Sequence, residues 1–317
     1  MASRHRKYME DDFDLDLHRK EQEKNAWFRA FRQKSKKLVG ILKIVIAGLA
    51  FVVVYLIYKF ATYHIGLWTN DRINETARDI LETPSSPVET PYIIRQGFSR
   101  VSENGKLMGT IVPEMIENVD PQDILGSAPR IILPEIEKLR QTFDNQDIVG
   151  YIKIEGTNID FPVAHTKDNS FYLDHDLKKQ SNVGGSAFLD FENASEIIDP
   201  NNVIYAHNMK NGSMFHNLRY YKDRDFYESH KKISLQTMYE NTEWEIFSFY
   251  ETEIDFFYNK VLFSTIDEYE QLVIEMRRKS QYDTGINVYP DNQILTLSTC
   301  APSGDLRLVV HAKRIEN

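Results

Sequence analysis

Hydrophobic and polar positions divide the chain into three regimes. From Leu38 to Tyr58, LVGILKIVIAGLAFVVVYLIY is apolar for 21 positions apart from Lys43, which lies near one end where a long side chain reaches an interface. That length spans a bilayer. A cleavable signal would lie nearer the start and be followed by a small-x-small site, so the run predicts a retained transmembrane helix. Beyond it the period changes to that of an amphipathic helix: Ile73, Ala77 and Ile80/Leu81 share one face of Asp71 to Leu81. TPSSPVETP, 83–91, is a Pro/Ser linker, and 92–130 is weakly patterned. A second helix, LPEIEKLRQTF from Leu133, carries Pro near its first turn and lines up Ile136, Leu139 and Phe143.

From Ile148 onward the pattern shortens to strands. IVGYIKIEG, IDFPVAH, GGSAFLDF, NVIYAH, KISLQTMY, WEIFSFYETE, NQILTLSTC and LRLVVHAK are alternating or buried runs separated by Gly, Pro, Asn and Asp. Eight such strands predict a mostly antiparallel barrel or sandwich. STIDEYEQLVIEMRRKSQ, 264–281, interrupts them with a helix. A Ser or Thr precedes its acidic first turn, Ile266, Tyr269, Leu272/Val273 and Met276 share one face, and RRK ends it as the helix dipole favours. The expected organisation is a basic tail, 1–37; a transmembrane helix, 38–58; a helix and linker, 59–130; and a β domain, 131–317.

Charge settles orientation and removes one class of partner. Residues 24–37 hold Lys24, Arg29, Arg32, Lys34, Lys36 and Lys37 with no acid, whereas 59–82 hold three bases and four acids. The positive-inside rule therefore places the N-terminus in the cytoplasm and the β domain outside. A net charge of −9 supplies no basic field for nucleic acid. Acidic clusters such as DFENASEIID lack the spacing of a calcium loop, and a single cysteine excludes both an internal disulfide and Cys-Cys metal spacings.

That cysteine, Cys300, ends one predicted strand, and Arg307 opens the next across the turn Ala301 to Gly304. If the strands pair, thiol and guanidinium come within a few ångströms. Cys300 is then a buried small hydrophobe or a reagent, and a reagent needs a proton partner because a free thiol has a pKa of about 8.5. Topology excludes His5, His18 and His64. His207 is the best placed of the rest, since it closes an apolar strand and opens an Asn/Gly/Ser loop. His165, His175, His216, His230 and His311 read as structural.

TLSTC followed by RLVVHAK, with IYAHNMKNGSMF upstream, resembles the class B sortases, membrane-anchored cysteine transpeptidases of Gram-positive bacteria. DIVGYIKIEGTNIDFPV, FYLDHDLKKQSNVGGSAFLDF and FYESHKKISLQT extend the resemblance over about 133–317. It implies a sortase-type eight-stranded β-barrel with an N-terminal helix and a helix inserted between the sixth and seventh strands. It also implies Cys300 as nucleophile, His207 as general acid and base, and Arg307 as the essential arginine, with no cofactor. The substrate would be a secreted protein bearing a C-terminal sorting signal. The acceptor would be an amine, from a peptidoglycan precursor or from a pilin lysine. Ser298, Thr299 and Asn208 are expected to line the groove, with Ile266 and Tyr269 on a wall made by the inserted helix. Three departures stand out: a short Cys-to-Arg loop, APSGDL; YAHN in place of the usual YGHN; and a long 83–130 segment.

Overall fold

The computed structural model describes residues 2–83, 131–253, 255–300 and 306–316, with 2–18 and Cys300 described at the backbone. The 84–130 segment, which holds most of the predicted linker, and residues 301–305 between Cys300 and Leu306 lie outside the described residues.

Two compact units divide the chain, 1–64 and 65–317. Helix α1, Ala2–Glu82, begins in the first. There the apolar segment is exposed along its length, with Leu49, Phe51 and Val54 all turned outward. It is long and apolar enough to cross a membrane.

The second unit holds the end of α1 and a closed barrel. Its strands are β1 (Ile148–Lys153), β2 (Asp160–His165), β3 (Ala187–Leu189), β4 (Asn201–Tyr205), β5 (Lys232–Thr237), β6 (Asn241–Thr252), β7 (Ile294–Cys300) and β8 (Arg307–Arg314). They close in the order β1-β2-β3-β4-β7-β8-β6-β5. Most pairs are antiparallel, while β2–β3 and β4–β7 run parallel. Closure gives each of these strands a neighbour on both sides. Alternation explains the faces: in β5 Ile233 and Leu235 are buried while Lys232 and Ser234 are exposed. A register shift in β6 between Ile246 and Ser248 adds Phe247 to the buried set.

Helices α2 (Pro134–Phe143), α3 (Arg224–Ser229) and α4 (Ile266–Lys279) decorate the barrel. Predicted and observed bounds of α2 agree, and Ile136, Leu139 and Phe143 are its buried face. In α4 the Thr265 hydroxyl accepts from the Glu268 N–H, and the Glu268 carboxylate accepts from the Ser264 N–H, closing the start reciprocally. Tyr269, Val273 and Met276 of α4 pack with Phe247, Tyr250, Tyr258, Phe263, Ile294 and Val309. The stretch of α1 from residue 65 also belongs to this unit. Leu67, Asn70, Ile73, Ala77 and Ile80 are buried, Asn182 donates to the Gly66 carbonyl at 2.9 Å, and Arg78 pairs with Asp160 at 2.9 Å. The face set by Ile73, Ala77 and Ile80 in the sequence is thus the face that meets the barrel.

Candidate functional site

Three strand ends meet at one rim of the barrel. In the antiparallel β7–β8 pair, Cys300 is the partner of Arg307 and the two close the ladder. In the parallel β4–β7 pair, the last registered couple is Tyr205 with Ser298. His207 follows Tyr205 by two residues and Cys300 follows Ser298 by two, so both lie beyond the same couple at the same end. The sheet register brings cysteine, histidine and arginine of the predicted set to one place.

Each is held by its own local structure. The His207 carbonyl accepts from the Phe215 N–H at 2.9 Å, and Asn208 bridges to Met214, closing the 208–214 loop just past the histidine. On the ring, Nε2 lies 2.6 Å from the Leu173 carbonyl. The Arg307 guanidinium is half-buried and donates from Nη1 to the Leu306 carbonyl at 3.3 Å.

Beneath this rim β7 is polar inside. Ser298 is 1% exposed and its Oγ lies 2.8 Å from the Tyr258 hydroxyl. Thr299 is buried, and among the described residues its hydroxyl has no hydrogen-bond partner. Thr296 donates to Asn201 Oδ1 at 2.6 Å and meets His311 Nδ1 at 2.8 Å. Asn201 in turn donates to the carbonyls of Tyr258 and Lys260, both at 3.0 Å. His311 is fully buried, and burial alone pushes its pKa down to about 3. This network ties the strand that ends in Cys300 to the segment running from β6 to α4.

The remaining groove candidates fall in different places. Ile266 is half-buried at the first turn of α4. Tyr269 lies in the core with 1% exposure, its hydroxyl donating to the Asn292 carbonyl at 2.5 Å. Asn208 stays at the rim. Two participants escaped sequence reasoning. Leu173 contributes a backbone carbonyl, which no side-chain pattern announces, and Tyr258 is one aromatic among the many around β6.

Comparison with known proteins converges on one family. The Sortase domain model matches residues 152–315. Sortase B of Listeria monocytogenes is 35% identical over 218 residues, covering 64% of this chain and 88% of that protein. Among solved structures, a protein from Bacillus anthracis described as similar to sortase B superposes with a TM-score of 0.61 at 32% identity, over 79% of this chain and 97% of that one. Staphylococcus aureus sortase B in a substrate complex gives 0.55 at 33% identity, over 62% and 91%. With a matching barrel, a family model that spans more than half of the sequence, and relatives of one class, the chain belongs to the sortase family, in class B.

Proposed function

We propose that the protein is a membrane-anchored transpeptidase that attaches secreted proteins, through a C-terminal sorting signal, to an amine of the peptidoglycan. The observation that carries the reading is the pairing of Cys300 with Arg307 at the end of β7–β8, with His207 arriving at the same rim from β4. A relative at 33% identity binds a substrate in the same fold.

In this reading the Cys300 thiolate attacks the carbonyl carbon of the scissile peptide. The C–N bond breaks, the departing nitrogen takes a proton from the His207 imidazolium, and a thioester remains on Cys300. The incoming amine attacks that thioester and gives its proton to the now neutral imidazole. The C–S bond then breaks and the thiolate is restored. Arg307 offers fixed donors to the oxyanion of both tetrahedral states, where removing one donor typically costs about 10² to 10³ in rate. The apolar part of α1 is the anchor, with the basic 24–37 stretch on the cytoplasmic side and the barrel outside.

The test incubates the full chain in detergent with quenched peptides of Asn-Pro-x-Thr and Leu-Pro types, with and without amines, and follows products by mass spectrometry. A Cys300-dependent acyl-enzyme mass and ligation to a peptidoglycan-type amine are expected, and Cys300→Ala abolishes both. Ligation only to a lysine-bearing pilin segment would replace the cell-wall acceptor by a pilin. Free acid alone, whatever the amine, would make the protein a hydrolase. An inert thiol with every peptide would leave a tethered binding domain.

A further inference from the structure

One of the two ring nitrogens of His207 is already committed. Nε2 lies 2.6 Å from the Leu173 carbonyl oxygen, which can only accept, so Nε2 carries the proton of that contact and the neutral ring is bare at Nδ1. Leu173 ends the tight turn Phe171–Leu173, and Gly185 backs that turn. A Cβ on Gly185 would stand 2.4 Å from the Tyr172 carbonyl oxygen and 2.6 Å from that of Leu173, and φ there is +56°. Only glycine fits on both counts. Neighbouring backbone bonds fasten the two segments together: Ser186 N–H donates to the Tyr172 carbonyl at 2.9 Å and Asn182 N–H to the Asp174 carbonyl at 2.7 Å. Gly185 is itself gripped from α1, where buried Asn70 donates from Nδ2 to its carbonyl at 2.8 Å.

We infer that the Leu173 carbonyl is the orienting member of the catalytic group: it holds His207 as the Nε2–H form and leaves Nδ1 to move the proton, with Gly185 and Asn70 as positioning residues behind it. The inference rests on the transpeptidase reading above. It assigns the proton given to the departing amine, and the one taken from the incoming amine, to Nδ1, while the other proton stays on Nε2, donated to the Leu173 carbonyl, through both steps. The carbonyl fills the place that a carboxylate fills in a Ser-His-Asp triad.

The experiment uses the full chain in detergent micelles, labelled with ¹⁵N in its histidine rings. Long-range ¹H–¹⁵N correlation is recorded at a pH where the ring is neutral, and the His207 signals are identified by their loss in His207→Gln. A protonated-type shift at Nε2 and a bare-type shift at Nδ1 are expected. Gly185→Ala, which pushes the turn away, is expected to mix the two forms and to lower kcat about 10²-fold at unchanged KM. Asn70→Ala should act in the same direction and less strongly. A wild-type ring protonated at Nδ1 overturns the inference, as do unchanged His207 signals in both variants. Should Gly185→Ala fail to fold, the wild-type ring and Asn70→Ala decide. Failure of the transpeptidase reading shows itself separately, as the absence of a Cys300-dependent acyl-enzyme, and leaves the ring signals as they are.

Discussion

Acid should weaken the barrel through one buried ring, His311. Its hydrogen bonds define a neutral form. Thr296 spends its hydroxyl proton on Asn201 Oδ1, so its oxygen accepts from Nδ1–H of His311, and Nε2 is left to accept from the Tyr250 hydroxyl at 2.7 Å. A second ring proton would enter a site with no exposure and face a hydroxyl already pointing its hydrogen inward. Hence the pKa falls from 6.5 to about 3. The unfolded chain therefore takes up this proton first as pH drops, so the contribution is intact above 6.5 and is lost on the way down to about 3. At about 1.4 kcal/mol per tenfold difference, the loss is about 2 kcal/mol between pH 7.5 and 5 and nears about 5 kcal/mol below pH 3. Guanidinium unfolding of the unit 65–317, followed by the fluorescence of buried Trp244, measures it against His311→Gln, which keeps a donor and an acceptor without titrating. Asp199, whose carboxyl burial pushes upward, titrates in both proteins and cancels in the difference. The wild type should lose about 2 kcal/mol more than the variant over that interval. Parallel stability curves would refute the argument.

Two further outcomes follow from the site and from the helix that backs it. Arg307→Lys keeps the charge and loses the planar fork, so kcat should fall about 10² to 10³-fold with acylation slowed in single-turnover assays; a fall below tenfold would remove Arg307 from the oxyanion role. Ala77 is fully buried on the barrel face of α1, and Ala77→Leu should cost about 1 to 3 kcal/mol by overpacking, against little change for Glu75→Leu on the exposed side. Thermal melts that cannot tell the two apart would mean that this stretch of helix is not packed as described.

Local pattern carried most of the architecture. Every strand segment proposed from alternation overlaps an observed strand, and α4 begins at the cap that Thr265 and Glu268 spell out. What pattern could not show is who pairs with whom. Ser298 sits two residues before the cysteine, which suggested a place in the groove, yet its partner is Tyr258, 40 residues away and set by how the segment after β6 folds back. Tyr269 belongs to an amphipathic face that could have met either substrate or core; the core took it, since that face of α4 covers β6 and β7. Leu173 was invisible for a different reason. Its contribution is a carbonyl oxygen, the same in every residue, and only the left-handed backbone of Gly185 hints that two segments approach closely there.

The parallel pairing of β4 with β7 has a kinetic meaning as well as a geometric one. Its partners, such as Tyr205 and Ser298, are more than 90 residues apart, and contacts of that separation form only after a large loss of chain entropy. Hairpins and helices can assemble locally while the histidine and the cysteine remain strangers. On the proposed function, the thiol of an incompletely folded chain is an ordinary thiol, and any ligation activity would report on closure of the barrel as a whole.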